Sequence, residues 1–163
     1  KTVADLDSVF AKIKNDYSPT AYFMNFTSNH DENSWNGTEY ERMGEGVEAF
    51  TALTYMLPGM PLIYTGQEYD LKHRLKFFEK DSIPKTKAKM FSLYEKLGAL
   101  KNNNKALNGA KKAALFTRIQ TSNDKMVMAF LREYKAEKVM YIGNLSKNPV
   151  AFTLAIEGTF TNY

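Results

Sequence analysis

Three consecutive polar residues, Asn29, His30 and Asp31, follow the apolar stretch 21–27 after a single serine, Ser28. A carboxylate can stabilise developing positive charge, and an imidazole can donate hydrogen bonds. Glycoside hydrolysis passes through an oxocarbenium-like transition state and normally uses a pair of carboxylates. Asp31 beside a sugar ring, with polar neighbours holding its hydroxyl groups, is consistent with that chemistry. Taken alone, the triplet is more typical of a local structural role, because Asn and Asp are good helix N-caps.

A second apolar stretch, 60–65, ends in the same way, at Gly66 and Glu68. The residues between the two stretches can form one helix, so the pattern predicts a strand–helix–strand unit. Two parallel strands joined by a helix place their carboxyl ends at the same edge of the sheet. Glu68 is therefore a candidate to face the same mouth as Asp31.

The elements that must position these residues are predicted from apolar spacing and chain breakers. Helices are predicted over 3–15, 39–57 and 87–101, and strands over 21–27 and 60–65. The second strand is apolar throughout rather than alternating, which predicts that it is covered on both faces. Residues 66–85 form a long polar and aromatic loop, and a loop of that length is usually functional or disordered.

After residue 110 the apolar period changes to two, which is typical of strands. Four strands are predicted, over 113–120, 126–134, 139–145 and 150–156. The last has the cleanest alternation. Short connections between consecutive strands indicate an antiparallel meander.

Composition limits the function classes. A chain of 163 residues is one ordinary domain or parts of two. The absence of cysteine excludes disulfides, thiolate catalysis and cysteine-based zinc sites within it. The two histidines, His30 and His73, are too isolated to indicate a zinc cluster. No metal site and no cofactor are predicted.

The net charge of +4 is unevenly distributed, because residues 1–80 are acidic in balance and residues 81–163 are basic. The basic residues are scattered, which favours a solvated face over a nucleic-acid site. No stretch approaches the roughly 20 apolar residues that a membrane helix needs. Residues 1–20 show no export signal. The location is left open, and a periplasmic or secreted full-length product is compatible with the sequence.

Two segments of the chain resemble the α-amylase family of glycoside hydrolases. The strand-seven motif of that family, Phe-x-x-Asn-His-Asp, is matched by Phe26, Asn29, His30 and Asp31, and its eighth strand is matched by Gly59, Pro61, Ile63, Tyr64, Gly66 and Glu68. The resemblance implies a partial α/β barrel of the TIM type, consisting of the last βα units, over residues 1–105. It implies an antiparallel, β-sandwich-like C-terminal domain over residues 106–163. The fragment as a whole would be α+β.

The resemblance also implies roles for the matched residues. Asp31 would be the third catalytic carboxylate, which stabilises the transition state. His30 would hydrogen-bond the sugar, and Asn29 would support both. Gly66 and Glu68 would be structural members of the barrel mouth. Calcium occurs in the family, but the chain has no cluster of carboxylates that indicates a calcium site.

The family nucleophile, in an Arg-x-Asp strand, and the general acid, a later Glu, are missing from the chain and are expected upstream of Lys1. The resemblance implies that the full-length protein acts on α-glucans such as starch and maltooligosaccharides by a retaining mechanism. The 163-residue piece alone is predicted to be inactive. Glucanosyl transfer would use the same residues and remains an alternative.

The aromatic residues leave further interpretations open. Trp35 could stack on a sugar in an outer subsite or pack under the loop. Phe77 and Phe78 are interpreted as core anchors of the long loop, and His73 and Arg74 as surface residues. A non-catalytic carbohydrate-binding module and a polyanion-binding interaction domain are alternative functions. A partial barrel exposes strand edges, so self-association of the fragment is expected.

Overall fold

The computed structural model describes residues 2–109 and 112–163. The first helix, α1, spans Val3–Asp16, in agreement with the sequence. It begins with a capping box, in which the Thr2 hydroxyl accepts from the Asp5 amide and the Asp5 carboxylate accepts from the Thr2 amide. Its C-cap is Tyr17, two residues before Pro19, and a proline disfavours helical backbone in the residue that precedes it. No helix among the described residues is both long and apolar enough to span a bilayer.

The predicted strand–helix–strand unit is present. Its elements are β1 (Met24–Asn25), α2 (Glu39–Met43), α3 (Val47–Met56) and β2 (Met60–Pro61). The two strands pair in parallel, with Met24 opposite Met60. The single predicted helix is divided at Gly44, which adopts φ of +55° and is followed by a 3-10 turn. Glycine tolerates this left-handed backbone, which is why the division falls here.

The prediction that residues 60–65 are covered on both faces is wrong for this chain. Met60 is 45% exposed and Ile63 is 41% exposed. On the paired strand Met24 is exposed, and so is Phe26 just after it. Helix α3 packs against the opposite side, where the Asn25 amide donates to the Thr54 carbonyl. Residues 60–65 are apolar on both faces of the segment, but in this chain only the face towards α3 is covered.

The long segment between β2 and the next helix contains one 3-10 turn, at Gln67–Tyr69. Helix α4 spans Lys89–Asn103, close to the predicted range. Its start is bound by Asp70, whose carboxylate accepts from the Met90 amide at 3.1 Å and from the Tyr40 hydroxyl at 2.6 Å. A carboxylate is stabilising at a helix N-terminus.

The C-terminal part forms a three-stranded antiparallel sheet in the order β3 (Leu115–Ile119), β4 (Val127–Tyr134) and β5 (Glu137–Asn144). The predicted meander is confirmed for these strands. The fourth predicted strand, 150–156, is wrong, because the segment makes only an isolated bridge between Thr121 and Leu154. Alternation specifies which side chains are buried, but a strand also needs an edge with which to pair along its length.

The sheet and the helices share one buried core. In the sheet, Phe130 stacks on Tyr141 with ring centroids 5.1 Å apart. The Tyr141 hydroxyl donates to the Ala49 carbonyl of α3 at 2.9 Å. The helices contribute buried side chains to the same cluster, among them Val47, Leu53, Met56, Met90 and Leu97. The chain is thus α+β, and the division at residue 105 and the sandwich remain predictions.

Candidate active site at the carboxyl ends of the parallel strands

The Asn-His-Asp triplet leaves β1 and enters a short helical turn that continues as a π-helix over Glu32–Asn36. The Asn29 side chain accepts from the Glu32 amide at 2.8 Å, and its carbonyl accepts from the Asn33 amide at 2.9 Å. Asn29 thus holds the turn together. Single π-helical turns are rare and occur frequently at functional sites.

His30 and Asp31 lie side by side and open to solvent. His30 Nε2 lies 3.5 Å from Asp31 Oδ2, and the two side chains are 66% and 61% exposed. The contact becomes an ion pair when the imidazole is protonated. Both polar groups are therefore free to receive a ligand from the solvent side.

A buried polar cluster joins the two strand ends. This strand-end cluster consists of Thr27, Glu39 and Gln67, all at most 5% exposed. The Thr27 hydroxyl donates to Glu39 Oε2 at 3.1 Å, and the Gln67 amide donates to the Thr27 hydroxyl at 2.7 Å and also to Glu39. The Gln67 carbonyl oxygen in turn accepts from the Tyr64 amide at 2.6 Å. The segment after β2 is thereby fixed against the end of β1.

The pKa of Glu39 lies above its usual value because burial penalises the charged carboxylate. Hydrogen bonds from Gln67 and Thr27 and the charge of Arg42 act in the opposite direction. Glu39 Oε1 has no hydrogen-bond partner among the described residues. Sequence reasoning missed Glu39 and Gln67, since Glu39 had the ordinary features of an acidic residue in a first helical turn.

Arg42 connects the strand end with the π-helix. Its guanidinium donates to the Thr27 carbonyl, to the Gly37 carbonyl at 3.1 Å, and to Glu32 Oε2 at 2.9 Å. The planar group can satisfy three acceptors in one plane, which a lysine cannot do. Arg42 carried no signal in the sequence beyond its charge.

Gly66 and Glu68 have local roles. Gly66 has φ of +96°, and a Cβ there would lie 2.6 Å from Leu71 Cδ2. Glu68 Oε2 accepts from the Gly66 amide at 3.0 Å. Burial raises the pKa of Tyr94 on α4, and the Glu68 charge adds to that shift. The residue that reaches the end of β1 is therefore Gln67, while Glu68 lies towards α4.

The interpretation of Phe77 and Phe78 as core anchors is wrong. Phe78 is 85% exposed and Phe77 is 37% exposed. The loop is anchored instead by Leu71 and Leu75, which are buried.

Trp35 is 58% exposed and contacts the two phenylalanines rather than packing under the loop. Its ring centroid lies 5.3 Å from that of Phe77 and 6.4 Å from that of Phe78. His30 also contacts Phe77, with ring centroids 5.8 Å apart. The structure thus brings Trp35 and the loop aromatics next to the His30–Asp31 pair.

His73 and Arg74 lie at the surface, as the sequence indicated. Arg74 makes a two-bonded ion pair with Glu41, at 3.0 and 3.1 Å. Hydrogen bonds from Arg74 and from the Thr38 amide lower the pKa of Glu41 to about 2. This pair attaches the start of the loop to α2.

Within residues 2–109 and 112–163, no group of three or more His, Asp or Glu side chains is arranged to hold a metal ion. A groove of about 990 Å³ lies elsewhere, between α4, β5 and residues 157–163. Its lining is mainly apolar, including Met56, Leu97 and Tyr141. The convergent polar groups are at the strand ends, so the candidate site is placed there.

The parallel strand–helix–strand unit and the antiparallel sheet that follows it are similar in fold to part of a solved alpha-amylase structure. One such structure is the noncanonic maltogenic alpha-amylase AmyB from Thermotoga neapolitana, with a TM-score of 0.76 and 20% identity. It covers 89% of this chain and 33% of that one, so the chain spans about a third of its length. At this identity the likeness establishes the fold. No family model and no curated protein sequence matches the chain.

Proposed function

We propose that this chain is the C-terminal portion of an α-amylase-type glycoside hydrolase that acts on α-glucans such as starch and maltooligosaccharides by a retaining mechanism. One observation carries the proposal. The exposed His30–Asp31 pair stands at the carboxyl end of a parallel strand, in a chain with the fold of part of a maltogenic alpha-amylase. Active sites of barrel enzymes lie at that end of the strands.

In this proposal Asp31 stabilises the positive charge that develops on the sugar ring in the transition state. His30 donates a hydrogen bond to a sugar hydroxyl, and Asn29 holds the turn that presents both. The strand-end cluster keeps the two strand ends at a fixed distance. Residues 1–105 would form the last part of the barrel and residues 106–163 the C-terminal β-domain.

The 163-residue chain by itself is expected to be inactive. Retaining hydrolysis needs a nucleophile and a general acid about 5–5.5 Å apart, and Asp31 is assigned to neither role. Asp31 is also 61% exposed, where water weakens its effect on a developing charge. Release of reducing sugar from starch by the purified chain, above that of an Asp31→Asn control, would contradict this expectation.

The decisive experiment uses the full-length natural protein that, in this proposal, contains the chain. Asp31→Asn should lower kcat for maltooligosaccharide hydrolysis roughly 100-fold or more, the scale of losing one electrostatic contact to a transition state. The matched control is Asp16→Asn, at the exposed end of α1, which should leave kcat unchanged. Equal rates for both variants, or no activity on any α-glucan, would overturn the proposal. Products longer than the substrate would indicate glucanosyl transfer at the same residues.

A second candidate, a non-catalytic carbohydrate-binding module, is favoured by the exposed aromatic rings of Trp35, Phe77 and Phe78. It predicts oligosaccharide binding that is insensitive to Asp31→Asn. It also predicts that the full-length protein hydrolyses no α-glucan. The two measurements together separate the candidates.

A further inference from the structure

Three aromatic rings form a continuous surface beside the His30–Asp31 pair. This aromatic surface consists of Trp35, Phe77 and Phe78. The two phenylalanine rings meet edge to face with centroids 4.7 Å apart, and Trp35 contacts both. Phe77 also contacts His30, so the surface begins where the candidate catalytic turn ends.

Hydrogen bonds of the turn hold the loop that carries these rings. The buried Asn33 side chain accepts from the Leu75 amide at 2.7 Å, and the Ser34 hydroxyl donates to the Leu75 carbonyl at 2.7 Å. Both backbone groups of Leu75 are thus bound by the residues that directly precede Trp35. The turn and the loop that carries the two phenylalanines are therefore joined directly at Leu75.

Beyond Leu75 the loop is also held by contacts within itself. Asp81 accepts from the Lys76 amide at 3.2 Å and from the Ser82 amide at 2.8 Å. His73 Nε2 lies 3.7 Å from the same carboxylate. Residues 77 and 78 lie in sequence between these contacts, which hold the backbone that carries the two rings.

Folding that leaves a preformed aromatic surface in water gives up hydrophobic stabilisation, and such surfaces mark binding sites. Three side chains form the surface, whereas a stable protein interface involves about 20–30 residues on each partner. It suits one or two sugar rings. The C–H face of a pyranose is apolar and packs on aromatic rings, while its hydroxyl groups reach polar neighbours such as His30 and Asp31.

We infer that the aromatic surface is a glucose-binding subsite, next to the unit held by His30 and Asp31, and that Phe77 and Phe78 are substrate-binding residues. The inference rests on the proposed function for the identity of the sugar. It assigns a binding role to the loop between β2 and α4. The Asn33–Leu75 and Ser34–Leu75 hydrogen bonds hold the aromatic surface next to the His30–Asp31 pair.

The sole tryptophan of the chain provides a direct readout, because Trp35 fluorescence reports only this surface. Maltose to maltohexaose should produce a saturable change in Trp35 emission of the 163-residue protein, with an affinity that calorimetry confirms. Phe78→Ala should weaken binding about fivefold or more, the loss expected from one aromatic contact. Trp35→Phe should retain calorimetric binding within about twofold, and Trp35→Ala should not. The control Phe160→Ala removes a distant exposed ring and should change nothing.

The outcomes separate this inference from the proposed function. Unaltered sugar binding in Phe78→Ala, with no response of Trp35 emission, would overturn the aromatic subsite and leave the hydrolase proposal standing. Failure of the chain to bind any maltooligosaccharide would also overturn the inference of an aromatic subsite. The Asp31→Asn assay of the full-length protein would still decide the proposed function. Phe78 is 85% exposed, so its truncation removes no core contact.

Discussion

Glu39 is an acidic residue in the first turn of a helix, yet it is buried in the folded chain. Its carboxylate is 3% exposed and connects the two strand ends, yet one of its oxygens has no partner among the described residues. Burial raises its pKa, so the folded state holds the Glu39 proton more tightly than the unfolded state does. The free energy of unfolding then falls as pH rises from the ordinary glutamate pKa of the unfolded chain towards the higher pKa of the folded state.

Glu39→Gln should therefore stabilise the protein by roughly 0.5–1 kcal/mol at pH 7.5 and have little effect at pH 4. The glutamine oxygen can still accept from Gln67 and Thr27, and the cost of ionisation is removed. Urea unfolding at the two pH values measures the difference. In the control, Glu39→Ala should destabilise at both, because it leaves buried donors without an acceptor. The opposite result would be a Glu39→Gln protein whose free energy of unfolding lies below that of wild type at pH 7.5 but not at pH 4. It would show that the Glu39 carboxylate is ionised and stabilises the fold.

Two glycines form a matched pair with opposite expectations. Gly66 has φ of +96° and touches Leu71, whereas a Cβ at Gly98 of α4 would meet no other side chain or element within 4 Å. Gly66→Ala should destabilise by about 1–3 kcal/mol through backbone strain and steric conflict. Gly98→Ala should stabilise by about 0.5–1 kcal/mol through helix propensity. Thermal unfolding measures both, and two changes of the same sign would contradict this account of Gly66.

At the scale of elements, the C-terminal end of α3 is held by two cations. Lys101 donates to the carbonyls of Tyr55 and Gly59, at 3.3 and 2.8 Å. Arg132 of β4 donates to the Met56 carbonyl at 2.8 Å and to the Asn108 carbonyl at 2.9 Å. Positive charge is favourable at a helix C-terminus. Burial, followed by the charge of Arg132, lowers the pKa of Lys101 to about 8.

Arg132 is fully buried and attaches the antiparallel sheet to α3. Burial lowers its pKa to about 10. Arg132→Ala should destabilise by about 2–4 kcal/mol, because the buried Met56 carbonyl and the partly buried Asn108 carbonyl lose their donor and a cavity is left. Lys138→Ala, which breaks the exposed ion pair with Glu133, should cost less than about 1 kcal/mol. Chemical denaturation tests both, and similar effects would mean that Arg132 does not connect the two parts.

At the scale of the whole molecule, the parallel strand pair has an exposed apolar face formed by Met24 and Met60, which lie opposite each other. Tyr22, Phe26 and Ile63 are exposed close to the two strands in sequence. The edges of the two-stranded sheet are also unpaired among the described residues. An open strand edge with an apolar face favours pairing with another chain.

The isolated chain is therefore expected to self-associate through this face. Sedimentation at micromolar concentration should give a mass above 18.6 kDa. Met24→Glu and Met60→Glu should shift the protein towards the monomer. Val9→Glu, which changes an exposed apolar residue of α1, should not. A wild-type monomer at all concentrations would contradict the expectation.

The sequence by itself was sufficient for the helices, the strand–helix–strand order and the antiparallel meander, because apolar period and chain breakers are local properties. It also singled out the turn of Asn29, His30 and Asp31 as a candidate site, since the triplet follows one apolar stretch and a second apolar stretch ends in the same way. The fourth β-strand was wrong, because pairing depends on which edge is available and not on alternation within 150–156.

Only the tertiary structure decided which residues surround the turn. Glu39 and Gln67 are ordinary polar residues until folding buries them together. Phe77 and Phe78 looked like core anchors, but Leu71 and Leu75 occupy the interior and the rings remain in water. These outcomes depend on contacts between residues about 28 to 42 positions apart, such as Gln67 with Glu39 and Leu75 with Asn33. Competition for buried space is a property of the folded chain, and no local pattern records its result.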